Sequence, residues 1–157
     1  MEFSGYWEYS VDDRNRVPIP PFYREAFGMK ALLVPGPDRV IEVYTEEGWE
    51  ERAAPLKRLP MTNPQARRKV RAFYANTSPV VPDGQGRLVL PQRLLEFAGI
   101  GTDRKVVIAG RRTCLEVWNK AAWDSLQGEL DEEGFDLLDD LDELEFAAGP
   151  DPMGEAE

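Results

Sequence analysis

The chain contains no histidine and a single cysteine, Cys114. The missing imidazole removes the commonest general base. One thiol cannot form an internal disulfide, and Cys114 sits in an apolar stretch with no activating neighbour. There is no Cys/His spacing of a zinc site, no P-loop and no Gly-rich dinucleotide fingerprint. The acidic runs near the C-terminus lack the glycine-bearing pattern of an EF-hand. Neither an enzyme nor a cofactor or metal is therefore expected. No apolar run approaches the roughly 18 residues of a membrane span. The first residues, Met1 to Trp7, show neither the basic nor the apolar segment of a secretory leader, so a cytoplasmic protein without a membrane partner is expected.

Basic residues also run out. From Ala121 to Glu157 there are 14 acidic residues and no lysine or arginine. Before that point 19 basic residues face 15 acidic ones, a net of +4 inside a chain whose overall charge is −10. Such asymmetry points to nucleic-acid contact or to an interaction tail.

What is present is one stretch spelled twice. Val11-Asp12-Asp13-Arg14-Asn15-Arg16-Val17-Pro18-Ile19-Pro20 corresponds to Pro82-Asp83-Gly84-Gln85-Gly86-Arg87-Leu88-Val89-Leu90-Pro91. A shift of 71 positions also lays Glu25 on Glu96 and Gly28 on Gly99. Further on the shift becomes 74, placing Glu42-Val43-Tyr44 on Glu116-Val117-Trp118 and Trp49 on Trp123. Two copies of one unit, the second with a three-residue insertion, account for most of the first 124 residues. A unit of about 50 residues buries too little surface to stand alone, so the two halves should share one core.

Each copy reads as a tight turn, a strand and a helix. Asn15 and Gly86 fill the same slot, and both tolerate positive φ. The turn aspartate can accept bonds from backbone N–H groups two or more residues on. Val17, Ile19 and Leu88, Leu90 alternate as in half-buried strands. Prolines 20, 21 and 91 then open helices over about 21–27 and 92–98. Further strands are expected over 3–10, 32–34, 40–44, 77–81, 105–109 and 113–118. Thr45 caps a helix over about 46–58, Thr62 or Asn63 one over 64–75, and Asn119 one over 120–130. The acids alternating with Leu137, Leu138, Leu141, Leu144 and Phe146 would form an amphipathic helix on docking. The ending from Gly149 to Gly154 reads as disordered. The organisation is then a first repeat over 1–58, a basic linking helix over 59–76, a second repeat over 77–124 and an acidic tail over 125–157.

The repeated Asp-x-x-x-Arg turn, the following Val-x-Ile-Pro and Leu-x-Leu-Pro, and the Val-Tyr…Trp and Val-Trp…Trp pairs resemble the MraZ family. These are bacterial transcriptional regulators associated with the division and cell-wall gene cluster. Each half is similar to an AbrB-type swapped-hairpin unit. The resemblance covers about residues 1–124. It implies an α+β fold in which two AbrB-like repeats form one swapped-hairpin β-barrel with peripheral helices. It also implies a ring-shaped homo-oligomer that binds spaced promoter repeats in double-stranded DNA, in the cytoplasm and on the nucleoid. The family positions carried over are Asp12, Arg16, Asp83 and Arg87. The chain departs from the pattern at Asn15, where the family usually shows glycine, and in its longer acidic tail.

Arg16 and Arg87 admit a plain alternative: each is a surface cation paired with its own aspartate, worth ~0–1 kcal/mol. Their planar forks also suit phosphate or a guanine edge. Asp12 and Asp83 are better placed to hold the turn and aim the arginine, because a carboxylate is repelled by phosphate. Arg14, whose counterpart is Gln85, adds a candidate phosphate contact. Arg67, Arg68, Lys69 and Arg71 form a solvated helix face, a DNA-backbone contact, or a contact to acids such as Glu46, Glu47 and Glu50 of another subunit. Tyr44, Trp49, Trp118 and Trp123 are expected to pack helices against the barrel, and Cys114 to be a small buried hydrophobe. The competing function is an oligomeric protein-interaction module in which the acidic tail binds a basic partner or competes with DNA for the basic face.

Overall fold

Strand pairing follows the repeat. A computed structural model describes residues 1–135 and 141–148. The strands are β1 (Tyr6–Ser10), β2 (Arg16–Pro18), β3 (Ala31–Pro35), β4 (Ile41–Tyr44), β5 (Ser78–Val80), β6 (Arg87–Val89), β7 (Lys105–Gly110) and β8 (Leu115–Asn119). Six of them form one antiparallel sheet in the order β1-β7-β8-β4-β3-β5. Each repeat supplies a hairpin to the centre, and each lends its first strand to the other repeat: β1 pairs with β7, and β5 with β3. The remaining strands, β2 and β6, pair antiparallel as a separate ribbon.

The class is α+β, as expected, but the large sheet does not close: β1 and β5 are its edges. Pro79 sits in β5 opposite Leu32, where an edge strand loses no ladder bond to a missing N–H. The strand expected over 3–10 begins only at Tyr6. Gly5 takes φ +82°, turning the chain, and Phe3 keeps just an isolated bridge to Arg112.

The ribbon lies on one face of the sheet. Val17, Ile19, Leu88 and Leu90 share a core with Leu33, Ile41, Val43, Val106, Ile108, Leu115 and Val117. The other face carries Leu32, Val34, Tyr44 and the fully buried Cys114. Leu33 and its neighbours Leu32 and Val34 thus serve opposite faces, as the two-residue period of a strand requires. Each fully buried aliphatic side chain contributes roughly 1.5–3 kcal/mol.

Helices cover the second face. α1 (Glu46–Lys57) begins at Thr45, whose Oγ1 accepts from Gly48 N at 3.0 Å, with Glu46 and Glu47 in its first turn. α2 (Pro64–Ala75) begins at Asn63, whose Oδ1 accepts from Gln65 N at 2.8 Å and Ala66 N at 3.2 Å. Trp49 stacks on Phe73 at 5.5 Å and donates to Thr77 Oγ1 at 3.1 Å, fastening α1 to α2. The first short helix, Pro21–Phe27, is a 3-10 helix, while its counterpart α3 (Gln92–Phe97) is α-helical.

The chain divides into two compact units, Met1–Trp123 and Asp124–Glu157. α4 (Lys120–Glu133) starts in the first, capped by Asn119 Oδ1, which accepts from Ala122 N at 3.2 Å. Trp123 packs there against Tyr6 and Trp118. The second unit contains the rest of α4 and α5 (Leu141–Ala148). Of the expected acidic helix, Leu137 and Leu138 lie outside the described residues, as does the ending from Gly149 to Gly154. No helix among the described residues is long and apolar enough to cross a membrane.

Candidate nucleic-acid interface

Both Asp-x-x-x-Arg stretches fold as tight turns leading into the ribbon. In the first, Asn15 N donates to Asp12 O, and Asp12 N to Arg16 O, both at 3.0 Å. In the second, Gly86 N donates to Asp83 O, and Asp83 N to Arg87 O, both at 2.9 Å. Asn15 and Gly86 adopt φ of 62° and 75°, so the slot expected to need positive φ does need it.

The aspartate organises each turn. Asp12 Oδ1 accepts from the backbone N of Arg14 at 2.9 Å and of Arg16 at 2.8 Å, while its Oδ2 accepts from Arg16 Nε at 2.7 Å. Asp83 repeats this with Gln85 N, Arg87 N and Arg87 Nε, at 2.9, 2.9 and 2.8 Å. Partial desolvation pushes the Asp12 carboxyl up, but the bonds from Arg16 and Arg14 and the charge of Arg16 outweigh it and hold it below the usual 3.8. For Asp83 the bond from Arg87 N is the largest influence, and the carboxyl again lies below 3.8. Both therefore stay ionised at neutral pH.

The ribbon brings the two turns together. Register pairs Arg16 with Val89 and Pro18 with Arg87. Ile19 N donates to Gly86 O at 2.8 Å and Leu90 N to Asn15 O at 2.7 Å, so each turn is bonded to the strand leaving the other. Arg16 Nη1 comes within 3.9 Å of Asp83 Oδ2. Each arginine spends Nε on its own aspartate. That fixes the stem and leaves the terminal nitrogens outside the bond to the turn's own aspartate, and a guanidinium fork is chemically suited to a phosphate or to the O6/N7 edge of guanine.

Arg14 is exposed at the tip of the first turn and makes no ion pair among the described residues. Arg67, Arg68, Lys69 and Arg71 are exposed on α2 and make no ion pair among the described residues, and Arg67 donates to Met61 O at 2.9 Å. Glu46 and Glu50 are engaged within the chain, by Lys30 and Lys57.

One side chain at the first turn gives no sign in the sequence. Arg104 Nη2 donates to Asn15 Oδ1 at 2.7 Å and also to Asp12 O. Its φ of 64° is unusual for a non-glycine residue, and nothing in Thr102-Asp103-Arg104-Lys105 announces it. Among the described residues no group of three or more carboxylates or thiols is arranged to hold a metal ion.

The family model described as "MraZ protein, putative antitoxin-like" matches this chain twice in succession, over residues 3–72 and 73–141. The chain is 41% identical to the transcriptional regulator MraZ of Acetivibrio thermocellus over 127 residues, covering 81% of this chain and 87% of that protein. It is 36% identical to the protein of the same name from Moorella thermoacetica over 122 residues, 78% and 84% of the two chains. With that of a Thermoanaerobacter species the identity is 36% over 140 residues, 89% and 96% of the two chains.

Proposed function

The chain belongs to the MraZ family, and from that membership we propose that it is a sequence-specific DNA-binding transcriptional regulator acting as a repressor. The observation that carries this is the pair of Asp-locked arginine turns joined by one ribbon. Arg16 and Arg87 read base edges, Asp12 and Asp83 aim them, and Arg14 adds a phosphate contact. The aspartates remove rotamer freedom from the arginines before DNA arrives, which lowers the ordering cost of binding.

Two arginine readers per chain give weak, short recognition. A homo-oligomer, ring-shaped as the family resemblance implies, presents several such pairs to spaced promoter repeats and gains avidity through effective concentration. The target is the regulator's own promoter region, within the division and cell-wall gene cluster, and the protein works in the cytoplasm on the nucleoid. The four repeat and tail segments, with boundaries near 58, 76 and 124, serve this as two readers, a linker and an accessory tail.

The test is affinity for a duplex from upstream of the protein's own gene against a scrambled duplex, across a salt series. Arg16→Ala/Arg87→Ala should abolish the preference while thermal stability and assembly size persist. If the double variant binds its operator as well as wild type does, the turns are not the readers. Equal and weak wild-type binding to both duplexes would favour the protein-interaction module instead, the reading prompted by the 14 acids after Lys120.

A further inference from the structure

By their own residues the two turns are electrically neutral. Residues 11–16 hold Asp12 and Asp13 against Arg14 and Arg16, and residues 82–87 hold Asp83 against Arg87. A neutral turn has no net attraction for a polyanion. The fork of Arg16 or Arg87 can read hydrogen-bonding groups, but its carboxylate partner offsets its pull on phosphate.

Each turn is crossed by an arginine from the opposite repeat. Arg104, just ahead of β7, reaches the first turn through Asp12 O and Asn15 Oδ1, and its own carbonyl accepts from Val11 N at 2.7 Å. Arg24, on the 3-10 helix of the first repeat, lies over the second turn. A Cβ added at Gly86 would stand only 2.2 Å from Arg24 Nε and 2.9 Å from its Cζ. The missing side chain at Gly86 therefore does more than permit positive φ; it makes room for a guanidinium. These arginines are not repeat equivalents, since Arg24 aligns with the buried Leu95. Among the described residues neither is ion-paired, and the acceptors of Arg104 are neutral oxygens, so both keep their full charge. Each raises its turn from zero to +1.

We propose that Arg24 and Arg104 are phosphate-binding residues of the interface, so that each base-reading arginine is accompanied by a backbone-holding arginine from the other repeat. This rests on the DNA-binding reading above. It divides the labour as protein–DNA contacts generally divide it, with phosphate contacts setting position and base contacts setting sequence. It also makes the exchange of strands between repeats functional, because neither repeat alone would hold a positively charged turn.

The experiment uses the full-length protein with the upstream duplex and the scrambled one, over a salt series, for wild type, Arg24→Gln, Arg104→Gln and their Lys counterparts. Loss of a phosphate contact lowers the slope of log K against log[salt] by about 0.9 per contact. Each Gln variant should lose affinity several-fold on both duplexes alike and show a shallower slope. The Lys variants should keep the wild-type slope, which a clamp needing the arginine fork would not allow. If Arg104→Gln melts early, Arg104→Gly, whose backbone accepts φ of 64°, replaces it. Unchanged slopes in the Gln variants overturn the proposal and leave Arg16 and Arg87 as readers. Failure of wild type to bind DNA at all overturns both.

Discussion

Glu42 and Glu116 occupy the same place in the two repeats and meet directly where β4 pairs with β8. They are 4% and 8% exposed, and Arg111 serves both, its Nη1 lying 2.8 Å from Glu42 Oε2 and 3.1 Å from Glu116 Oε2. Tyr44 OH donates to Glu42 and Trp118 Nε1 to Glu116, each at 3.1 Å. Two buried negative charges thus share one positive charge. Burial pushes the Glu116 carboxyl above its usual 4.5, and the charge of Glu42 adds to this, against the opposing pull of Trp118 and Arg111. A carboxyl raised in the folded state contributes stability that is complete below about 4.5 and is lost as pH rises through the folded value. Removing the shared cation should sharpen that dependence. Arg111→Met is expected to cost about 3 kcal/mol at pH 7.5, the low end for a buried pair broken on one side, because Arg111 is partly exposed. The cost should shrink near pH 4.5, where a proton can replace the lost charge. Denaturant midpoints at the two pH values check this, and equal losses at both would refute it. Cys114, whose Sγ accepts from Arg111 Nη2 at the same spot, is pushed up to about 11, chiefly by burial, and so remains a neutral thiol.

At the scale of elements, α2 hangs on aromatic contacts. Phe73 stacks on Trp49, Tyr74 meets Trp49 edge-on at 5.2 Å, and Arg52 lies over Phe73 at 5.5 Å. Trp49→Ala should therefore release α2 from the sheet without dissolving the main core, at about 2 kcal/mol, less than for a fully buried tryptophan. Hydrogen exchange is the measurement: amides of 64–75 should exchange faster while those of β4 and β8 keep their protection. Uniform acceleration along the chain would show instead that α2 and the core unfold as one. These helices were legible in the sequence because Thr45, Asn63 with Pro64, and Asn119 are chemical signals local to the chain. The ribbon strands were legible from alternation, and the two turns from duplication. The break at Gly5 was not, since glycine permits positive φ without demanding it. Arg24 and Arg104 were hidden for a different reason. Each acts on a turn in the other repeat, 62 and 89 positions from Gly86 and Asn15, so only strand exchange brings them into place.

Taken whole, the molecule has a charge problem to solve. A chain of net charge −10 is proposed to bind a polyanion, with a region of net +4 ahead of 14 acids that have no basic residue among them. Electrostatic work at such range needs no defined contact: it depends on the ionic atmosphere, whose screening length is ~30 Å at 0.01 M salt and ~10 Å at 0.1 M. Truncation after Gln127 removes 13 of the 14 acids and leaves the turns and the ribbon intact. At about 0.02 M salt the truncated protein should bind the operator roughly tenfold tighter, mostly through faster association. The gain should fade by about 0.3 M, where charges separated by more than several ångströms no longer feel one another. A gain that persisted undiminished at high salt would mean that the tail competes by a specific, desolvated contact rather than through its field. No gain at low salt would mean that the acids do not oppose DNA binding, and their purpose would then lie with a basic protein partner.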